Sequence, residues 1–191
     1  MTELHRTFIA VDLDPQLRDA ILAIERDLET AGARVKWIRP TNLHFTLKFL
    51  GEIAVAQVAR ARIAAREAAG LTEPFRITLG TLGAFPSFRQ PQVIWIGVSD
   101  GSKNLESLAD RLDAALAKLR FPPERRAFRP HLTLARMRDV RAWGDLVRAL
   151  ERFRDVSVGS QVIDTMTVYK SRLSPQGSTY TALEEVPLGI H

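Results

Sequence analysis

Two short motifs contain residue types that could carry out acid–base chemistry. His44 and Thr46 lie two residues apart in RPTNLHFTLKFLG, and His131 and Thr133 repeat this spacing in RPHLTLAR. Histidine has an unperturbed pKa of about 6.5, so near neutral pH one ring can accept a proton while another donates one. The motifs together predict a site that takes up one proton and releases another.

Both motifs lie in apolar segments whose alternating pattern indicates a β-strand. Successive side chains of a strand point to opposite faces, so His44 and Thr46 should share one face. Phe45, Leu47 and Phe49 should share the other face and pack in the core. The second motif divides in the same way. A single His-x-Thr is more often an ordinary strand residue pair, but its repetition argues for one shared site.

The remaining patterns predict alternating strands and helices. Strands are expected at 6–13, 44–50, 75–82, 91–98, 131–136, 161–170 and 179–186. Helices are expected from Asp14–Pro15 to Gly32, from about Ile53 to Ala69, from a Ser102 cap through Leu119, and from Trp143 to Phe153.

This order repeats with a constant offset of 87 residues, which carries His44 onto His131 and Phe8 onto Trp95. A constant offset indicates internal duplication. We therefore expect an α+β, duplicated bilobal fold. Its two pseudo-symmetric lobes would each be an antiparallel β-sheet with helices on the outer face, and the active-site cleft would lie between them. The repeats would span about 7–93 and 94–181 plus a closing strand, within a single domain over 1–191.

Composition excludes several classes of protein. The 191 residues are 46% hydrophobic and include no cysteine, which excludes disulfides and thiolate chemistry. No apolar stretch approaches the roughly 20 residues of a membrane-spanning helix, and the first residues do not resemble a signal peptide. We expect a cytoplasmic monomer with no membrane partner.

The formal net charge of +5 is concentrated in one window. Residues 120–141 contain seven arginines against one glutamate and one aspartate. Such a window can attract a polyanion such as nucleic acid, and it can equally be a solvated surface. Both interpretations stay open at this level.

Taken together, five segments resemble the 2H phosphoesterases, a family with two His-x-Thr motifs in a duplicated α+β fold. The branch that they resemble is the bacterial and archaeal RNA 2′,3′-cyclic phosphodiesterases, first named 2′-5′ RNA ligases. The segments cover most of the chain and read RTFIAVDL, WIRPTNLHFTLKFLG, FPSFRQPQVIWIGV, FRPHLTLAR and VYKSRLSPQGSTYTAL.

The resemblance implies a role for each site residue. His44 would be the general acid and His131 the general base, while Thr46, Thr133 and Arg136 would bind the phosphate. The substrate would be an RNA or oligonucleotide end, or a small nucleotide, with a 2′,3′-cyclic phosphate that is hydrolysed to a 2′-phosphomonoester without a cofactor. The family's ligase name leaves open a reversible 2′-5′ ligation.

Two rival interpretations remain. A metal site is disfavoured because neither motif has an adjacent carboxylate and no H-x-x-x-H pattern exists. A non-catalytic module could bind nucleotides or RNA ends in the same cleft. Trp37 and Trp95 fit the core better than a base-stacking role, and Tyr169 fits either a strand end or the site. His5 and His191 are expected to be incidental.

Overall fold

The computed structural model describes residues 3–30, 35–137, 143–175 and 177–189. Within these ranges the α-helices are α1 Pro15–Thr30, α2 Val55–Gly70, α3 Ser102–Lys118 and α4 Trp143–Arg152, and a 3₁₀ helix covers Pro40–Asn42. The strands are β1 Leu4–Asp12, β2 Lys36–Trp37, β3 His44–Ala54, β4 Phe75–Phe85, β5 Val93–Asp100, β6 His131–Arg136, β7 Ser157–Ile163, β8 Thr165–Ser174 and β9 Gly177–Pro187.

The strands form two antiparallel sheets, which confirms the predicted α+β class. One sheet has the order β3-β1-β8-β9 and the other has the order β2-β6-β5-β4-β7. Helix α2 packs on the first sheet and against α3, and α1 packs on β7 of the second sheet. Their apolar residues form one continuous buried core. None of the helices that the structure describes is long and apolar enough to cross a membrane.

The offset of 87 residues relates whole elements. It carries β1 onto β5, α1 onto α3, β3 onto β6, α2 onto α4 and β4 onto β8. However, β4 belongs to the second sheet and β8 to the first. Each sheet therefore contains strands from both sequence halves, because β4 of the first half pairs with β5 of the second, and β8 of the second half pairs with β1 of the first.

Several predicted boundaries differ from those in the structure. The segment 161–170 is two strands in different sheets, separated only by Asp164, because the chain crosses between the sheets there. The helix expected from about Ile53 begins at Val55, because β3 stays paired with β1 up to Ala54. Residue Gly101, with φ of 80°, caps α3 in place of the predicted Ser102. The predicted helix end at Gly32 lies outside the described residues.

Candidate active site

The first motif is divided between the core and a cleft, as predicted. Strand β3 begins at His44, whose side chain is half-buried, as is that of Thr46. The intervening Phe45 is completely buried and Leu47 is 6% exposed. The alternation of a strand thus anchors the motif through its apolar residues and turns the histidine and the hydroxyl towards the cleft.

The second motif has the same arrangement in β6. His131 and Thr133 are half-buried, while Leu132 and Leu134 are fully buried. Side chains from both motifs line one cleft of about 720 Å³. The tertiary structure therefore brings together the four motif residues that are far apart in the sequence.

A β-bulge follows each motif and changes the face of the next residues. In β3, Thr46 pairs with Ala10 and Lys48 with Ile9, so Leu47 is the extra residue. One extra residue reverses the inside–outside pattern of the strand beyond it. Phe49 is consequently 47% exposed and lines the cleft. Its predicted place in the core was wrong.

The equivalent bulge in β6 brings Arg136 to the cleft. Thr133 pairs with Trp95 and Ala135 with Ile94, so Leu134 is extra. A regular strand would turn Arg136 away from the histidine, since the two positions are an odd number of residues apart. The bulge corrects this parity, and the exposed Arg136 lines the same cleft as both motifs.

Backbone carbonyl groups determine which nitrogen carries the hydrogen in both imidazole rings. His44 Nδ1 lies 2.7 Å from the carbonyl oxygen of Asn42, and His131 Nδ1 lies 2.7 Å from that of Arg129. A carbonyl can only accept, so each Nδ1 carries the hydrogen. In each neutral ring Nε2 is therefore the basic nitrogen. His44 Nε2 lies 2.9 Å from Thr46 Oγ1.

The two rings have different surroundings. The His44 ring stacks on Phe8 with centroids 4.9 Å apart and meets the edge of Tyr180 at 5.3 Å. Burial by these neighbours lowers the pKa of His44 below its usual 6.5, while the Asn42 carbonyl and the Asp12 charge act in the opposite direction. Among the residues that the structure describes, His131 meets the edge of one aromatic ring, Phe85, with centroids 5.4 Å apart.

Asp12 was not among the predicted site residues, and it pairs directly with His44 across β1 and β3. Its carboxylate accepts hydrogen bonds from Tyr169 Oη at 2.8 Å and from Thr167 Oγ1 at 3.0 Å. Burial and this carboxylate raise the pKa of Tyr169, which keeps its hydroxyl a donor. A charged residue ending the apolar run FIAV was the available sequence signal.

The tryptophans and His5, which were also noted in the sequence, lie partly at the cleft and partly away from it. Trp37 packs against the core as predicted, but it also lines the cleft. Trp95 is half-buried and stacks on Phe85 with centroids 5.2 Å apart. His5 lies at the other end of β1 from Asp12 and contacts Glu3 at 2.8 Å. His191 and the arginines at 138 and 141 lie outside the described residues.

The arrangement of potential metal ligands gives little support for a metal site. Across 3–30, 35–137, 143–175 and 177–189, no three His, Asp or Glu side chains converge as metal ligands. The carboxylate paired across from the first motif, Asp12, is engaged by two hydroxyl groups. Independence from metal ions stays a prediction to be tested by activity.

Comparison with known proteins connects this geometry to a family. The chain matches the family described as LigT-like phosphoesterase twice, over 11–95 and 96–180. It is 37% identical to the RNA 2′,3′-cyclic phosphodiesterase of Methanothermobacter thermautotrophicus, over 94% of this chain and 96% of the relative. It is 36% identical to the protein of that name from Aquifex aeolicus, over 86% of each chain.

Solved structures share the whole fold. The crystal structure of the Thermus thermophilus protein TT0787 is 29% identical, with a TM-score of 0.80 over 96% of this chain and 98% of that one. That of E. coli LigT complexed with NADP⁺ is 25% identical, with a TM-score of 0.74 over 98% and 100% of the two chains.

Proposed function

The chain belongs to the LigT-like phosphoesterase family, and we propose that it is an RNA 2′,3′-cyclic phosphodiesterase. It would hydrolyse a terminal 2′,3′-cyclic phosphate to a 2′-phosphomonoester by two-histidine acid–base catalysis. The observation that carries this proposal is the matched pair of imidazole rings in one cleft. Each ring donates through Nδ1 to a carbonyl, which leaves Nε2 as the nitrogen that exchanges protons.

The reaction needs a proton removed on one side of the phosphorus and a proton added on the other. In this proposal His131 Nε2 takes the proton of the attacking water as its oxygen bonds to phosphorus. The bond from phosphorus to the ribose 3′ oxygen breaks, and His44 Nε2–H protonates that oxygen. The phosphate stays on the 2′ oxygen, and one net water is consumed.

The transition state carries more negative charge on the nonbridging oxygens than the substrate does. Thr46 and Thr133 would donate hydrogen bonds to these oxygens. Arg136 would add a guanidinium that pairs with two oxygens at once. These three side chains all line the cleft beside the histidines, which supports the assignment.

The acid role requires a protonated His44, whereas burial lowers the pKa of His44 in the free protein. A protonated ring is required for an acid, so negative charge nearby must favour the imidazolium form. Asp12 supplies one such charge, and the anionic substrate supplies another. We therefore assign Asp12 as a positioning residue that acts through His44.

A non-catalytic module that binds nucleotides or RNA ends in this cleft is the alternative. Incubation with a short RNA that ends in a 2′,3′-cyclic phosphate distinguishes the two. An enzyme would convert it to the 2′-phosphomonoester, identified by phosphorus NMR, and His44→Ala and His131→Ala would each slow the conversion by about 10²-fold or more. Binding without any conversion would support the module.

The proposal extends to the organisation of the protein. We propose a single bilobal unit over 1–191, built from repeats at about 7–93 and 94–181, that acts as a monomer on RNA ends in the cytoplasm. The element correspondence at an offset of 87 supports the duplication. Size-exclusion chromatography with light scattering tests the oligomeric state.

A further inference from the structure

The cleft that holds both His-x-Thr motifs has a one-sided charge. Its described lining includes four cationic side chains and neither aspartate nor glutamate. The cations are Arg6, Lys36, Arg39 and Arg136. One of them, Arg136, is accounted for by the reacting phosphate, which leaves three positive charges in the lining without an assigned role.

These charges come from separate parts of the chain. Arg6 lies in β1, Lys36 in β2 directly opposite Arg136 in β6, and Arg39 immediately before the 3₁₀ helix. Within the part of the chain that the structure describes, Arg6, Lys36 and Arg136 form no ion pair with a carboxylate. Like charges gathered without counterions repel each other, so this arrangement favours binding of an anion.

Arg6 lies over an aromatic ring that also lines the cleft. Its guanidinium carbon lies 4.6 Å from the centroid of the Phe49 ring. This cation–π contact restricts the guanidinium without neutralising its charge, so its hydrogen-bond donors stay available. The bulge that exposes Phe49 thus also holds Arg6 in the cleft that contains both histidines.

A neighbouring groove differs from the cleft because its lining carries charges of both signs. It shares Thr46, Phe49 and His131 with the cleft and is lined by arginines of the window noted in the sequence. This groove also contains three acidic residues, Asp110, Asp113 and Glu124. Lys48 Nζ lies 2.6 Å from Asp113, and the Arg125 amide donates to Glu124 Oε1 at 3.0 Å. Three acidic against four basic side chains leave this groove with a smaller excess of positive charge than the cleft, so it is the poorer anion site.

We infer that Arg6 and Lys36 form a second phosphate subsite in the cleft, which binds the phosphodiester joining the terminal nucleotide to the one before it. This inference rests on the proposed function, since it assumes an RNA end in the cleft. It makes the preferred substrate an oligonucleotide, because a cyclic mononucleotide has one phosphate and leaves the subsite empty. It also predicts that the bound RNA chain continues from its terminal nucleotide along this cleft.

Binding of two product-like nucleotides tests the subsite without catalysis. Adenosine 2′-monophosphate has only the product phosphate, and adenosine 2′,5′-bisphosphate adds one where the linking phosphodiester would lie. Calorimetry should show the wild type binding the bisphosphate about tenfold or more tightly, with a steeper salt dependence. Arg6→Gln and Lys36→Gln should each reduce this preference severalfold, whereas Arg125→Gln should keep it.

Two controls separate charge from structure. Arg6→Lys keeps the charge and should retain most of the preference. Lys36→Gln leaves the contact between Arg6 and Phe49 in place, so its effect cannot come from loss of that cation–π contact. Equal loss of affinity for both nucleotides in the Arg6 and Lys36 variants, or an unchanged preference, would overturn the subsite.

Turnover separates this inference from the proposed function. Adenosine 2′,3′-cyclic phosphate and a diadenosine dinucleotide that ends in the same group should both be hydrolysed, with a higher kcat/KM for the dinucleotide. Hydrolysis of both with no preference would contradict the subsite and leave the proposed function intact. A preference for the bisphosphate with no hydrolysis of either substrate would contradict the proposed function and retain an anion site at Arg6 and Lys36.

Discussion

Phe49 and Arg136 occupy equivalent positions in the two halves of the fold, and a β-bulge turns each of them onto the cleft. Each lies five residues after the histidine of its motif, with the extra residue at Leu47 or Leu134. The bulges are equivalent, but the side chains differ. One half presents an aromatic ring and the other presents a cation, so the nearly symmetric histidine–threonine pairs have unlike neighbours.

This asymmetry predicts the effect of removing the cation. Arg136→Ala should lower kcat by about 10²–10³-fold on both a cyclic mononucleotide and an oligonucleotide, as expected for loss of a transition-state donor. Arg136→Lys should recover only part of the rate, because an ammonium cannot bind two oxygens in the bidentate manner. Steady-state kinetics, with Arg125→Ala as the matched arginine variant, would check this. A loss confined to KM would argue against contact with the reacting phosphate.

Leaving-group dependence distinguishes the acid from the base. His44→Ala should lose about 10²–10⁴-fold on a cyclic ribose phosphate, whose leaving alkoxide needs a proton. It should lose much less on a p-nitrophenyl phosphodiester, because p-nitrophenolate leaves without protonation. His131→Ala should be poor on both substrates, since water still lacks its base.

Steady-state rates of both variants on both substrates give the readout. If His131→Ala regains activity on the p-nitrophenyl phosphodiester while His44→Ala stays inactive on it, the acid and base roles are exchanged. If neither variant loses activity on a cyclic phosphate, the two-histidine mechanism is wrong.

Asp12 should act on the reaction through the charge state of His44. Asp12→Asn removes the charge that favours the imidazolium form, so the pKa of His44 should fall further below 6.5. For an acid, kcat/KM on the cyclic substrate should then drop by about three- to tenfold at pH 8 and less at pH 5.5.

The p-nitrophenyl ester should be nearly insensitive to this substitution. Tyr169→Phe removes one hydrogen bond to the carboxylate and keeps its charge, so it should change the pH profile less than Asp12→Asn does. A relative gain at pH 5.5 in Asp12→Asn would instead identify His44 as the base, because a base is more active when its pKa falls below the working pH.

Metal removal tests the cofactor-free mechanism. Hydrolysis of a cyclic phosphate end should continue in excess EDTA at the untreated rate, because the proposed proton transfers and charge stabilisation use only side chains. Initial rates before and after chelation give the comparison. Activity that is lost to EDTA and restored by Zn²⁺ or Mn²⁺ would contradict this mechanism.

A buried carboxyl in α1 predicts how stability varies with pH. Glu25 is 6% exposed, and burial, with a smaller effect of Glu29, raises its pKa to about 7. The folded protein therefore holds this proton more tightly than the unfolded chain, and stability should fall as pH rises from about 4.5 to 7. Glu25→Gln should be more stable than the wild type at pH 8, by up to about 3 kcal/mol, and similar at pH 4.

Urea unfolding of both proteins at the two pH values measures this difference. Glu29→Gln is the matched control on the same helix and should change the pH dependence less, because Glu29 is the smaller cause of the raised pKa. The same gap between the wild type and Glu25→Gln at pH 4 and pH 8 would show that ionisation of Glu25 does not contribute.

Local patterns in the sequence were enough to predict the two motifs and most of the strands. Alternation over a few residues depends only on the geometry of an extended chain, so the half-buried His44 and Thr46 beside the buried Phe45 followed directly. The same holds for the amphipathic helices and for the offset of 87, which compares the chain only with itself.

Features that depend on distant pairing partners came only from the tertiary structure. The extra residue Leu47 is defined by its register against β1, so the pattern of β3 by itself placed Phe49 in the core. Asp12 lies across from His44 because β1 and β3 are adjacent, and Arg6 and Lys36 line one cleft although they belong to strands of different sheets. The sequence by itself determined which residues alternate and which segments repeat. The pairing of strands decided which face each residue takes after a bulge and which charged side chains line the cleft, because strand pairing depends on contacts between residues far apart in the chain.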